Sequence, residues 1–253
     1  MLPLVIDAPH TDPPDPQMIL DTVAARYGQP LFCFFFGSHA FGRGDAGSDI
    51  DVIVVLSRVE NAYRETFSSN GFLFDAQVHD PETLHYVMRL EQRGGVGLLA
   101  GEVDQARVLP ENCDPASALK EVARAILASG PPPLATWDTP RRYVSALISD
   151  LERSANADER WMMAMDLYIR ILELFLRHHG QLLYGPGRHL VRSVKTFDAP
   201  FFDRAQSALA QLFADGSVSP LIAVAREVLD LIGGPLTAGF RQNYPEKFRL
   251  PLP

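Results

Sequence analysis

The sequence predicts an α+β protein: a small mixed sheet with helices over residues 1–130, then an all-α helical bundle over residues 131–253. Three observations predict it. Short apolar or alternating runs of strand length sit in the first half, at residues 31–36, 49–56 and 71–79. Gly130-Pro131-Pro132-Pro133 is the clearest break in the chain. Beyond it strand signals nearly vanish, and apolar residues recur at helical spacing over long stretches.

The elements follow in order. Residues 15–27 carry Met18, Ile19, Val23 and Ala24 at helical spacing, and Gly28 ends the run. LFCFFF after Pro30 is a continuous apolar run, the pattern of a central strand. Residues 49–56 read as a second strand. Residues 71–79 alternate Phe72, Phe74, Ala76 and Val78 against Leu73, Asp75, Gln77 and His79, as a third does. Asp80-Pro81-Glu82 opens a helix to about Gln92, with Pro81 at a tolerated first-turn position. Residues 97–110 suggest a helical turn and a short edge strand, and residues 115–129 a helix. Past the proline run, residues 139–155, 158–179, 200–214 and 220–232 read as helices, the last stopped by Gly233-Gly234-Pro235.

The chain has 253 residues, 47% of them hydrophobic, enough for one large or two modest cores. Its formal net charge of -8 argues against general nucleic-acid binding, which needs a basic surface. Only Cys33 and Cys113 are present, and Cys33 lies inside an apolar run, so no disulfide framework is expected. MLPLVIDAPHTDPPDP lacks the basic start and apolar run of a signal peptide, and no segment approaches membrane-spanning length. A cytoplasmic protein with no membrane partner is the expectation.

The stretch FFFGSHAFGRGDAGSDIDVIVV carries the chemistry. Asp49 and Asp51 are two apart, so on a strand they share one face, where their charges repel unless something compensates them. Paired carboxylates suit a hard cation such as Mg²⁺, which takes oxygen ligands and bridges to phosphates. Asp75, flanked by Phe74 and Ala76, completes a three-acid cluster if its strand pairs beside that of Asp49. Such a cluster suits two metals about 4 Å apart and in-line displacement at phosphorus. Gly37 lets a ligand approach the backbone, and the Ser38 hydroxyl can donate to a phosphate oxygen. Arg43, in the same loop, reads either as a phosphate contact or as an ordinary surface arginine; His39 reads as a surface residue. Acyl transfer, P-loop and zinc chemistry fit poorly: Gly-x-Ser-x-Gly, GxxxxGK[ST] and HExxH are all missing.

GSHAFGRGDAGSDIDVIVV resembles the GS…SDxD signature of the DNA polymerase β-like nucleotidyltransferase superfamily, on Gly37, Ser38, Ala40, Gly42, Ser48, Asp49 and Asp51. FDAQVHDPETL resembles the segment that carries the third acid, which maps onto Asp75. The strong match spans residues 31–84. Length, element order and a helical second half resemble the kanamycin nucleotidyltransferase-like branch. The resemblance implies a Mg²⁺-dependent enzyme that moves a nucleoside monophosphate, AMP from ATP, to a hydroxyl and releases pyrophosphate. It implies metal ligands at Asp49, Asp51 and Asp75, and nucleotide contacts at Gly37, Ser38 and Ser48. It also maps a base toward the acceptor hydroxyl onto Glu173, on the helix of YIRILELFLRHHG, where Asp166 lies seven residues earlier on the same face.

In the basic stretch GPGRHLVRSVK, Arg188, Arg192 and Lys195 are suited to neutralising a triphosphate, or to a solvated helix face. The partners expected are a nucleoside triphosphate and a hydroxyl acceptor on a small molecule or protein; a homodimer is compatible with this reading. The competing reading is an antitoxin-like nucleotide-binding module that acts on a partner protein. The complete acid set favours the enzyme.

Overall fold

The computed structural model describes residues 13–243 and Arg249. The N-terminal segment read above for a leader lies mostly outside the described residues. The chain divides into two compact units, Met1–Gly130 and Pro131–Pro253.

The first unit opens with α1 (Pro16–Tyr27). The Asp15 carboxylate accepts from the Gln17 N–H, Pro16 occupies a position that needs no donor, and Gly28 at φ 80° stops the helix. Five strands follow, β1 (Phe32–Phe36), β2 (Ile50–Val55), β3 (Tyr63–Ser69), β4 (Phe72–His79) and β5 (Arg107–Leu109), in the spatial order β3-β4-β2-β1-β5. The β2–β4 pair is parallel and the other three are antiparallel, so the sheet is mixed. A single helical turn, α2 (Gly37–Ala40), follows β1. Helices α3 (Pro81–Gly94), α4 (Leu98–Gln105) and α5 (Asp114–Ser129) complete the unit. Asp80 and Thr83 close a reciprocal capping box at the start of α3.

Strand alternation gives the sheet two different faces. Cys33, Phe35, Ile50, Val52, Val54, Phe74, Ala76 and Val78 pack with Ile19 and Val23 of α1 in one core. Phe32, Phe34, Ile53 and Val55 pack with residues of α3, α4 and α5 in another. On β2 and β4 the odd-numbered residues belong to this second face, so Asp51, Asp75 and Gln77 share it, and the acids stand at its end, next to Phe36 in register. The apolar core therefore ends where the acid cluster begins.

Two sequence expectations change here. Strand β3 was not anticipated: its residues YRETFSS are polar and half exposed, as befits an edge strand with little apolar alternation. And β2 begins at Ile50, so Asp49 is the residue just before the strand. The short turn and edge strand expected at residues 97–110 are α4 and β5.

The second unit is all helical: α6 (Asp138–Arg153), α7 (Ala157–His178), α8 (Arg188–Phe197), α9 (Ala199–Asp215) and α10 (Ser219–Leu231). The long α7 is the hub, packed by the other four. Leu167, Ile171, Leu172 and Phe175 of α7 meet Val144, Ile148, Phe201, Leu209 and Val228 in one core. Among the described residues, no helix is long and apolar enough to cross a membrane.

Candidate active site

Parallel pairing of β2 with β4 sets Asp51 opposite Asp75. Asp49 joins them from the loop that enters β2. One carboxylate oxygen from each of Asp49, Asp51 and Asp75 lies within 4.8 Å of the others, and all three residues are half-buried. The three acids predicted from separate stretches of sequence thus form one cluster.

Gly37 lies over this cluster at φ 76°. A Cβ built on it would fall 2.7 Å from the carboxyl carbon of Asp51 and closer still to Oδ2. Glycine is required twice, by the left-handed backbone and by the Asp51 carboxylate itself. Ser38 is half-buried in the next position of the turn. His39 is buried, contrary to the sequence reading: its Nε2 is 3.1 Å from the Ser48 carbonyl oxygen and its ring meets Phe72 edge to face. It pins the glycine turn to the loop that leads into Asp49. Gly44 gives this ring room, since a Cβ there would overlap the imidazole.

Ser48 and Arg43 have local partners. The Ser48 hydroxyl donates to Asp45 Oδ1 at 3.0 Å and accepts from the Asp45 N–H, which ties the loop into a turn. Arg43 is exposed, with its guanidinium 5.4 Å from the centre of the Phe41 ring and its N–H donating to the Ser38 carbonyl. Glu173 and Lys195 lie on α7 and α8 of the helical unit. Glu173 accepts from Arg170 Nη1 at 3.0 Å, in a network where Arg170 also pairs with Asp166 and Tyr143 donates to Asp166 at 2.5 Å. Lys195 is exposed, 5.9 Å from the centre of the Phe202 ring.

Two site residues escaped the sequence reading. Arg64 of β3 grips Asp75 with both ends of its guanidinium: Nε donates to Oδ1 at 2.7 Å and Nη2 to Oδ2. The signal that could have found it is Asn70-Gly71, a two-residue hairpin turn with both residues at positive φ, which requires a strand before residue 70. Glu102 of α4 accepts from Gln77 Nε2 at 3.2 Å, and Gln77 is two residues beyond Asp75 on the same face of β4.

Burial pushes the Glu102 carboxyl up to about 7; the Gln77 hydrogen bond opposes this, the Glu91 and Asp51 charges add to it, and Arg64 opposes it. The folded protein therefore keeps a proton there that the unfolded chain loses near the ordinary value of 4.5. Stability falls as pH rises between these two values and levels off above them. Glu102→Gln should remove that loss. In EDTA at pH 8 the variant is expected to be about 1–3 kcal/mol more stable than wild type, and nearly equal to it at pH 4. Urea unfolding at pH 4, 6 and 8 checks this; parallel pH dependences in the two proteins would refute it.

Residues 17–96 match the family model of the nucleotidyltransferase domain, across α1, the glycine turn, all three acids and α3. The match lies wholly within the N-terminal unit and supports the DNA polymerase β-like nucleotidyltransferase superfamily for this segment. Among solved structures, a nucleotidyltransferase-like protein from Exiguobacterium sibiricum 255-15 is similar at 14% identity and a TM-score of 0.42, over 85% of this chain and 71% of that one. No curated protein matches the chain. The matched domain supports transfer of a nucleotidyl group as the reaction class.

Proposed function

We propose that this protein is a Mg²⁺-dependent nucleotidyltransferase that moves AMP from ATP to a hydroxyl of a small molecule or a protein and releases pyrophosphate. The observation that carries the reading is the convergence of Asp49, Asp51 and Asp75 beneath Gly37 within the matched domain. The donor set fits the metal: three carboxylates are hard oxygen ligands, and no His or Cys joins the cluster among the described residues. Bound there, Mg²⁺ supplies positive charge against the phosphate oxygens.

The protein's own part is positioning. Asp49, Asp51 and Asp75 would hold one or two metal ions. The bare Gly37 backbone admits the triphosphate close to these acids, and the Ser38 hydroxyl donates to a phosphate oxygen. Ser48 holds the loop that aims Asp49, and Arg43 and Lys195 are the further candidate phosphate contacts. The acceptor oxygen forms a bond to the α-phosphorus as the bridging α–β bond breaks, and the hydroxyl proton leaves to a carboxylate. Asp75 and Glu173 are the candidates for that proton. Orientation and charge neutralisation carry most of the acceleration in such a reaction.

The test is a transfer assay with the whole chain, Mg²⁺ and α-labelled ATP, GTP, CTP or UTP against pooled small-molecule and protein acceptors. Label is expected to move from ATP with release of pyrophosphate, and EDTA to stop it. No transfer from any of the four would sink the reading; transfer from another nucleotide would overturn the choice of ATP alone.

A further inference from the structure

Arg64 stands where the cluster's electrostatics are most exposed to change. It lies on edge strand β3, with its Cα opposite Gln77, and it reaches diagonally to Asp75, whose own Cα partner is Thr66. The two ends of the pair differ sharply in exposure: the Asp75 side chain is 12% exposed, the Arg64 side chain 63%. The acid is fixed on the sheet floor, whereas the guanidinium hangs at the open edge on a long, flexible stem. The hydrogen bonds to Asp75 raise the Arg64 pKa against partial burial, and the charges of Asp75, Glu102 and Asp51 add to this. A second arginine–carboxylate fork, Arg26 with Glu65, lies one residue away along β3 and so belongs to the other face, away from the acids.

We propose that Arg64 is a built-in counter-cation that occupies Asp75 until a divalent metal displaces it, and that it thereby weakens metal binding at the acid cluster. The inference rests on the metal-site reading above. A guanidinium engaging both oxygens of Asp75 repels any cation brought to the same carboxylate and competes for its lone pairs. Displacement is inexpensive because the side chain moves into solvent, where it is ready to meet an anionic ligand arriving with the metal. The acids gain partial neutralisation in the meantime.

The probe is Mn²⁺, titrated calorimetrically into the whole chain without nucleotide. Wild type, Arg64→Gln, Arg64→Lys, Asp75→Asn and the Arg64→Gln/Asp75→Asn pair are compared, with a thermal melt of each. Arg64→Gln is expected to bind Mn²⁺ about three- to tenfold more tightly, the exposure of the pair limiting the gain. Arg64→Lys, which keeps the charge but loses the fork, should fall between. In the Asp75→Asn background the gain should vanish, because the competition is for that carboxylate. Equal affinity in wild type and Arg64→Gln would overturn the inference while leaving the metal site standing. So would an undiminished gain in the Asp75→Asn background, which would mean a general field effect. If wild type binds no Mn²⁺ and Arg64→Gln binds none either, both the metal reading and the counter-cation fall together.

Discussion

Asp49→Asn and Asp51→Asn are each expected to cut nucleotidyl transfer by about 10³-fold or more, and the pair to abolish it, with melting temperatures within a few degrees of wild type. The asymmetry follows from where the two acids sit. Both are half-buried at the end of the sheet, beyond the apolar core of Phe32, Phe34, Ile53 and Val55, so neither supports the packing that holds the sheet. Asparagine keeps the size and removes the charge. Like charges gathered within 4.8 Å repel, so losing one relieves the folded state as much as it deprives it of local hydrogen bonds. The loss of function is large because a neutral amide is a poor ligand for a hard cation and leaves triphosphate charge uncompensated at the moment of reaction. Mn²⁺ titration should report the same loss without turnover. Wild-type transfer in the double variant, with an intact melt, would end the assignment of these acids.

The same geometry shows what the sequence could and could not reveal. Asp49, Asp51 and Gly37 were legible because each violates its local context. Two acids at the mouth of an apolar strand and a glycine after three phenylalanines have no packing rationale, so their reason lay in the site. Asp75 was legible only as a possibility. The alternation of Phe72, Phe74, Ala76 and Val78 fixed its face, but only the parallel β2–β4 register set it opposite Asp51. Arg64 was hidden because an edge strand with one solvated face shows almost no apolar period. The turn at Asn70-Gly71 was the available clue. Glu102 was hidden differently: an acid on a short helix looks solvated until the fold lays that helix against Gln77. His39 misled because a histidine among glycines reads as loop surface, whereas Gly44 is bare so that the ring can be covered. In the helical unit the long helical pattern at residues 158–179 gave the helix α7. The Arg170 bridge to both Asp166 and Glu173 depends on rotamers that spacing alone does not specify.

Asp75→Asn is expected to lower single-turnover pyrophosphate release by about 10²–10³-fold while changing ATP affinity by less than about threefold. Asp75 is set across the strand pair from Asp51, and in the proposed reaction it serves the reacting oxygens rather than the β- and γ-phosphates near Gly37 and Ser38. Groups that act on charge developing at the reacting centre contribute more in the transition state than in the ground state, so their loss appears in turnover and not in binding. A complication arises from Arg64. Asp75→Asn also releases a guanidinium beside the site, which attracts triphosphate and offsets part of any loss in nucleotide affinity. The double variant Asp75→Asn/Arg64→Gln removes that compensation: ATP should bind it more weakly than Asp75→Asn, with turnover no better. The measurement is pyrophosphate release from enzyme in excess over labelled ATP, with an identified acceptor, beside equilibrium ATP binding in Mg²⁺. A solvated strand acid would give no effect on either quantity. A nucleotide-binding module without catalysis would show no turnover in wild type, and an Asp75→Asn protein that turns over normally would move the third role to Glu102 or Glu173.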